Sequence, residues 1–401
     1  MKTPSKRLPF VEFVTLLALM ISIVAMATDI KLPALSQIGH DLKVADPNHV
    51  QLIVSALFLG FAVGQVVAGP VSDSIGRKPV IYIGYAVFLF GCLLSLFATD
   101  ITVMLIGRVF QGLGAACPRI ITLALVRDEY EGRAMARIMS ITMAVFILVP
   151  AIAPAIGQGV ILVSNWHMTF VLLMAMAIVS VLWFAIRQPE TLAKADRRRF
   201  SVSNIVGGVR EALGYRAAVG YTLAAGCVFG AFLGYLSSAQ QVFQTGFGVG
   251  ELFPLFFGAA ALTIGLASIF NSRLVMRLGM RYLTWRAVMA MTVLSCLFLV
   301  PVVLLDGLPP LWSFMIWLLA TFFCVGIMFG NFNAMAMEPL GHMAGLGAAL
   351  VGSGSAFMSL PLGWAVGAAF NGGALPLVAG FAVLGAASMS IMFFTERGLA
   401  R

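Results

Sequence analysis

Charged residues are scarce in this chain, and their scarcity decides its class. Asp, Glu, Lys and Arg make up 10% of the 401 residues, while 61% are hydrophobic and the mean hydropathy is +1.00. Soluble domains carry about 25% charged residues, so the composition excludes an ordinary soluble domain and indicates an integral membrane protein. The formal net charge of +9 does not point to nucleic acid, because the basic residues flank apolar segments, where they set membrane topology.

The residues that usually support metal, redox or nucleotide chemistry are also few. The five cysteines are scattered through apolar segments without a Cys-x-x-Cys pair, which argues against a disulfide framework or a zinc site. The four histidines show no His-x-x-x-His spacing, and the chain has no Gly-x-x-x-x-Gly-Lys-Ser/Thr phosphate loop. We therefore expect neither an enzyme nor an ATP-driven pump, and no bound metal or cofactor.

What the chain has instead is a series of long apolar runs. A membrane-spanning helix needs about 20 apolar residues, and these runs lack the two-residue alternation of barrel strands. They predict an all-α membrane protein with twelve transmembrane helices, at 9–35, 49–72, 78–98, 101–126, 136–162, 167–186, 215–241, 251–272, 284–305, 310–337, 345–370 and 374–395.

The basic residues predict the orientation of these spans. If the N-terminus is cytoplasmic, Lys31 and Lys43 fall on the outer side and Arg108 and Arg119 fall within a span. Every other Lys and Arg then falls on the inner side, as the positive-inside rule requires. An even number of spans then returns the C-terminus to the cytoplasm. The first span is too long for a removable signal peptide and lacks a small-residue cleavage site.

The chain divides into two halves of six spans. Residues 1–186 form the predicted N-terminal bundle, residues 215–401 form the C-terminal bundle, and the basic stretch 187–214 joins them. We interpret this stretch as a cytoplasmic linker that faces anionic lipid, and a regulatory or partner-binding role is the alternative. The segments Val71–Lys78 and Leu274–Arg281 align, each with a glycine and a base, so we expect pseudo-symmetric bundles. Many transporters are built from two such halves, with the substrate cavity at their interface.

Charged residues within the spans are candidates for function, because one at the bilayer centre costs at least ~2.5–3.5 kcal/mol. At about 1.5 Å per residue, Asp29 lies roughly 9 Å from the outer end of the first span and Arg108 about 10 Å into the fourth. Two opposite charges at matching depth suggest an ion pair, which serves proton or substrate coupling or only fixes helix packing. Arg119 lies on nearly the same face as Arg108, with Gln111 about one turn from Arg108. Arg119 either belongs to this basic stripe or reaches lipid headgroups.

The fifth predicted span carries Pro150, Pro154 and Gly157. A proline inside a helix removes a backbone hydrogen bond and bends the helix, and glycine lets a neighbouring helix pack closely. A bent helix with a small-residue face suits a moving interface, although static bundles also contain such helices.

Four motifs together resemble the major facilitator superfamily. Gly69–Lys78 is similar to the signature of its loop between helices 2 and 3, and Gly107–Gly112 is similar to its helix 4 motif. Ala153–Gln158 resembles the helix 5 motif of proton-driven drug exporters. Thr28–Leu35 is similar to the end of helix 1 in the bicyclomycin- and chloramphenicol-resistance exporters. The resemblance covers nearly the whole chain and implies a twelve-span drug:proton antiporter of this branch.

The resemblance also implies roles for particular residues. It associates Arg108 with proton coupling, and it pairs Arg77 with Asp128 in one locked state of the transporter. The candidate residues for proton coupling or substrate binding are Asp29, Arg108, Gln111 and Arg119. The conformational gate of loop 2–3 comprises Gly69, Asp73, Gly76, Arg77, Lys78 and Asp128. The helix 5 antiporter motif contributes Pro150, Pro154 and Gly157.

The chain departs from the pattern of these exporters in three places. Some of them carry a second membrane acid about two turns before the helix 1 aspartate, where this chain has Ile21. That difference argues against a multi-proton or cationic-drug mechanism. Lys31 stands where the branch usually has an aromatic residue, and Ala153 and Gln158 stand where the helix 5 motif prefers glycine.

The sequence therefore predicts a proton-coupled secondary transporter that exports small amphipathic compounds by alternating access. Its expected partners are a small-molecule substrate, protons and membrane lipid, and the proton gradient replaces any cofactor. We expect a monomer in the bacterial inner membrane. The alternatives are a carrier of the same fold for a metabolite such as a sugar or organic acid and, more distantly, a membrane sensor or scaffold that transports nothing.

Overall fold

The computed structural model describes residues 8–197 and 201–399, apart from a few side chains within them. In these ranges the chain is folded into helices joined by short turns. Twelve segments of the described chain are long and apolar enough to cross a membrane, which confirms the predicted all-α class and number of spans. The helices are α1 (Phe10–Asp29), α2 (Leu35–Asp41), α3 (Leu52–Ile75), α4 (Arg77–Leu96), α5 (Ile101–Glu129), α6 (Gly132–Val163), α7 (His167–Arg187), α8 (Val202–Gly214), α9 (Arg216–Gln240), α10 (Phe253–Leu278), α11 (Met280–Leu304), α12 (Leu311–Met337), α13 (Ala344–Ala368) and α14 (Leu375–Leu399).

A proline ends the first helix earlier than the sequence analysis expected. In a continuous helix, Pro33 would have no N–H to donate to the carbonyl of Asp29, and its ring would clash with that carbonyl. α1 therefore stops at Asp29, and a 3-10 turn (Leu32–Ala34) leads into α2 within one apolar segment, Phe10–Asp41. The predicted span 9–35 overlaps this segment but is not one unbroken helix.

The internal repeat seen in the sequence has a backbone counterpart. Gly76 directly precedes α4 with a φ of +108°, and Gly279 directly precedes α11 with a φ of +81°. Side chains with a β-carbon rarely adopt such values, whereas glycine adopts them readily. The two aligned loops thus turn between consecutive long helices in the same way.

The described chain forms two compact units. Unit 1 contains the chain up to Lys31 together with Ala56–Val202, and unit 2 contains Leu32–Ser55 together with the chain from Ser203 onward. The short helix α2 and the beginning of α3 thus belong to the C-terminal unit, although they precede most of the N-terminal bundle in sequence.

Unit 1 depends on very close helix crossings. α5 packs against α4 and α1, and α6 and α7 pack against α1. At the crossing of α3 and α5, a β-carbon on Gly112 would lie 1.9 Å from the carbonyl oxygen of Leu57, and one on Gly60 would lie 1.9 Å from that of Val109. Only glycine fits at these two positions, so the backbones touch directly.

Unit 2 is held together by aromatic side chains. α9 packs against α12, α13 and α14, and α12 packs against α10 and α11. The rings of Tyr235 and Phe322 meet edge to face with centroids 4.7 Å apart, and Trp317 meets Phe381 in the same way at 5.7 Å. Such pairs are favourable because the positive ring edge faces the negative ring face.

The close crossing of α3 and α5 leads to a first testable prediction. In Gly112→Ala, the new β-carbon would collide with the backbone of Leu57 and lie 2.7 Å from the amide nitrogen of Phe61. The helices must separate, and overpacking of this kind costs about 1–3 kcal/mol. We expect a lower midpoint of thermal unfolding for the detergent-purified protein.

Gly159→Ala is the matched control. Gly159 lies in α6, and no described atom lies within 4 Å of the position of its β-carbon. Because alanine favours a helix over glycine by about 1 kcal/mol, this variant should unfold at the wild-type temperature or above it. A Gly112→Ala protein as stable as Gly159→Ala would contradict the close crossing.

Candidate functional site

Three charged side chains meet at the carboxyl end of α1. Asp29 is the last residue of α1, Lys31 follows it in the turn, and Arg108 comes from the first half of α5. Their exposed fractions are 3%, 1% and 0%, and Asp29 interacts electrostatically with both cations. The structure therefore brings the predicted residues Asp29 and Arg108 into one buried region of unit 1.

The end of α1 supplies an acceptor that both cations use. Arg108 Nη1 donates to the carbonyl oxygen of Ala27 at 2.9 Å, and Lys31 Nζ donates to the same oxygen at 2.8 Å. The last carbonyls of a helix lack their intrahelical partners and carry the negative end of the helix dipole, which attracts cations. The early end of α1 thus creates a binding place for positive charge inside the unit.

Gln111 supplies the second shared acceptor. Its Oε1 accepts from Arg108 Nη1 at 2.7 Å and from Lys31 Nζ at 3.5 Å. Its Nε2 donates to the carbonyl oxygen of Gly91 at 3.1 Å and to Ser95 Oγ at 2.8 Å on α4. Because the amide nitrogen is held by α4, the amide oxygen must face the two cations.

Asp29 and Arg108 interact electrostatically within the buried site. The guanidinium group donates hydrogen bonds to the carbonyl oxygen of Ala27 and to Gln111 Oε1. Asp29 Oδ1 is buried and has no hydrogen-bond partner. Burying an ionised carboxylate without hydrogen bonds is very costly, so the proton content of Asp29 bears directly on the energy of this site.

Lys31 is the site residue that the sequence analysis missed. Besides its two oxygen acceptors, its Nζ lies 4.6 Å from the ring centre of Phe170 on α7, a favourable contact between a cation and an aromatic face. From the sequence, Lys31 was expected on the outer side of the membrane. Its position two residues after Asp29, just before the helix-breaking Pro33, was the signal that could have placed it at the helix end.

Arg119 lies apart from this network. It is half-buried, and its guanidinium carbon lies 4.7 Å from the ring centre of Phe146 on α6. None of the described contacts joins it to Asp29, Lys31 or Gln111. The shared helix face predicted for Arg108 and Arg119 therefore does not place them in one cluster.

The helix 5 motif touches the site through the backbone. A β-carbon on Gly157 would lie 1.9 Å from the carbonyl oxygen of Ile30, the residue between Asp29 and Lys31. Pro150 and Pro154 lie inside α6, where each removes a hydrogen bond and favours a bend. α6 therefore contacts α1 at the point where the buried charges are held.

The loop 2–3 motif forms a second polar cluster in unit 1. Arg77 Nε donates to Asp128 Oδ2 at 3.0 Å, and its Nη1 donates to Asp73 Oδ1 at 2.5 Å and to Ser72 Oγ at 2.8 Å. The Arg77 side chain is only 9% exposed. The pair of Arg77 and Asp128 that the family resemblance implies is thus present.

Glu190 completes this cluster, and the sequence analysis missed it. Its carboxylate accepts from the backbone amides of Arg77 and Lys78, each at 3.0 Å, and so caps the first turn of α4. Lys78 Nζ in turn donates to the carbonyl oxygens of Ala185 and Gln188 at the end of α7. A β-carbon on Gly76 would lie 2.7 Å from Glu190 Oε2, and the φ of +108° disfavours any larger residue there.

Gly69, the remaining candidate of the loop 2–3 motif, has no described atom within 4 Å of its β-carbon position. Elsewhere, Glu338 forms an ion pair with Arg281 at 3.3 Å, and both side chains are more than half exposed. Within the described parts of the chain, no three His, Cys, Asp or Glu side chains group in a way that could hold a metal ion.

Comparison with known proteins adds the family context. The model of the Major Facilitator Superfamily matches residues 17–361. A bicyclomycin resistance protein homolog from Haemophilus influenzae is 30% identical over 359 residues, 85% of each chain. Multidrug resistance protein D from Escherichia coli is 27% identical over 365 residues, 86% of each chain. The uncharacterized MFS-type transporter YdgK from Bacillus subtilis is 29% identical over 329 residues, 81% of this chain and 80% of its own.

Solved structures agree on the fold. The xylose transporter XylE from E. coli, in a partially occluded inward-open conformation, aligns with a TM-score of 0.73 at 11% identity, covering 96% of this chain and 97% of that one. The human organic anion transporter MFSD10 aligns with a TM-score of 0.68 at 17% identity, covering 96% and 100%. At these identities the likeness concerns the fold alone.

The buried ion pair of Arg77 and Asp128 leads to a second testable prediction. Removing one member leaves the other charged and nearly enclosed, which is far more costly than losing an exposed pair. In a double-mutant cycle of Arg77→Ala and Asp128→Ala, we expect a coupling of about 1–3 kcal/mol. The measurement is the unfolding of detergent-purified single and double variants.

The exposed pair Arg281–Glu338 is the matched control, since exposed pairs contribute about 0–1 kcal/mol. Its cycle of Arg281→Ala and Glu338→Ala should be close to additive. Equal coupling in the two cycles would contradict the structural importance of the buried pair.

Proposed function

Since the chain belongs to the Major Facilitator Superfamily and is a multi-pass membrane transporter, we propose that it exports small amphipathic compounds from the bacterial cytoplasm in exchange for protons. The observation that carries this proposal is Asp29. It is a titratable group buried within a membrane-spanning segment, and such groups typically mark proton or substrate pathways. The resistance-related names of the Haemophilus and E. coli relatives support export of drug-like cargo.

The geometry suggests how proton binding acts at this site. An ionised Asp29 is a counter-charge for Lys31 and Arg108, and protonation removes that charge. The cations then depend on the oxygens of Ala27 and Gln111. The carbonyl of Ile30, which follows Asp29, touches Gly157 of α6. We propose that proton uptake from the outside changes how the end of α1 is held and that this change accompanies cargo release.

The cycle proposed here is alternating access driven by the proton gradient. Protons entering the cell exchange for cargo leaving it, and the cluster of Arg77 and Asp128 stabilises one of the alternating states. The protein acts as a monomer in the inner membrane with both termini in the cytoplasm. The clustering of basic residues in the predicted inner segments supports this orientation.

The third prediction tests the role of Asp29. Asp29→Asn removes the titratable group and keeps the size of the side chain. In liposomes with an imposed pH gradient, a cargo added from a panel of chloramphenicol-like, bicyclomycin-like and cationic compounds should drive proton flux with the wild-type protein. The variant should remain folded and lose at least nine-tenths of that flux, because no proton can be exchanged at the site.

Asp100→Asn is the control for this experiment. Asp100 caps α5 by accepting from the amide of Val103 at 3.0 Å, and asparagine caps helices equally well. It should keep wild-type flux. Full flux in Asp29→Asn would overturn the coupling role. If the wild-type protein shows no proton flux with any compound of the panel, a metabolite carrier of the same fold is favoured instead.

A further inference from the structure

The buried site at the end of α1 contains more positive than negative charge. Lys31 and Arg108 are the cations, and Asp29 is the acid that faces them from α1. The other acids of unit 1 are engaged elsewhere or exposed. Glu12 pairs with Arg187, Asp73 and Asp128 pair with Arg77, Asp100 and Glu190 cap helices, Glu129 bonds Gln188, and Glu131 and Asp196 are exposed. Even with Asp29 ionised, two cations therefore face one acid.

The surroundings of Lys31 are those of an ammonium group. Its Nζ contacts the carbonyl oxygen of Ala27, the amide oxygen of Gln111 and the ring face of Phe170. All three partners are electron-rich acceptors, and an ammonium group has three N–H donors and no acceptor. These contacts offset part of the cost of burying a charged ammonium group.

Charge–charge interactions are strong in such a place. Buried charges are screened by salt much less than exposed ones, and the low dielectric of the interior increases their effect on a nearby ion. A cationic molecule that approached Asp29 would meet two fixed positive charges. A neutral molecule would meet no such penalty, and an acidic one would be attracted.

We infer that Lys31 is a specificity-determining residue, which excludes cationic compounds from the cargo of this transporter and restricts it to neutral and acidic ones. The inference rests on the proposed function and adds to it that the cargo passes near Asp29. Lys31 acts through its field, since its side chain is almost fully buried, and direct contact with cargo is not required. Removing its charge should therefore admit cations without creating a new binding pocket.

The test compares a neutral probe, chloramphenicol, with a permanent cation, tetraphenylphosphonium, and follows the ratio of their affinities from variant to variant. Binding of each radiolabelled probe to detergent-purified protein is measured for the wild type, Lys31→Gln and Lys31→Arg. We expect the ratio of cation to neutral affinity to rise at least tenfold in Lys31→Gln and to stay near the wild-type value in Lys31→Arg, which keeps the charge.

Lys43→Gln is the matched control, because Lys43 is an exposed lysine on a neighbouring segment. It should leave the ratio unchanged, since its charge is screened by solvent. Wild-type protein that binds the cation as tightly as chloramphenicol would overturn the inference, whether or not any variant folds. So would a folded Lys31→Gln protein with an unchanged ratio.

The same samples in liposomes separate this inference from the proposed function. If the binding ratio shifts as expected but no probe drives proton flux, the coupling proposal fails and the selectivity stands. If flux occurs with the cation as readily as with chloramphenicol in the wild type, the selectivity fails and the coupling stands.

Discussion

The candidate site depends on one unpaired end of a helix. Because Pro33 prevents α1 from continuing, the carbonyl of Ala27 is left without the partner that an unbroken helix would give it. Two cations, Lys31 and Arg108, bind this oxygen at 2.8 and 2.9 Å. Gln111 Oε1 accepts from both cations as well, and the carbonyl of Ile30 beside them contacts α6. A helix that ran on to residue 35 would have no such acceptor.

Close backbone packing makes the arrangement possible. Gly112 and Gly60 let α3 and α5 touch, and Gly157 lets α6 reach the carbonyl of Ile30 beside the site. The cost of inserting a single methyl group at such a crossing is high, since interiors are already packed to the density of organic crystals. Gly60 and Gly112 therefore fix the crossing of α3 and α5, and Gly157 brings α6 against the backbone beside the charged groups.

The buried charged clusters and the aromatic contacts lie in different units. Unit 1 holds the buried charges Asp29, Lys31 and Arg108, together with the ion-paired loop cluster around Arg77. The interior of unit 2 is dominated by aromatic contacts such as that between Tyr235 and Phe322. The loops that align between the halves share a glycine with positive φ, but the second has Met276, which is exposed, where the first has Asp73. The repeat thus preserves the backbone turn and not the charge cluster.

The sequence by itself determined the membrane class, the twelve spans and the family, because long apolar runs and short polar motifs are local properties that need no knowledge of contacts. It also singled out Asp29 and Arg108, because a charged residue within an apolar run can be recognised without knowledge of contacts, and Gln111 about one turn from Arg108. Only the tertiary structure decided how these groups are bonded. Lys31 and Arg108 share the oxygens of Ala27 and Gln111, Lys31 lies in the buried site, and Arg119 lies apart from it. Those outcomes depend on where α1 ends and on which atoms of α4, α6 and α7 lie within about 3–4 Å, and spacing along the chain does not encode such distances.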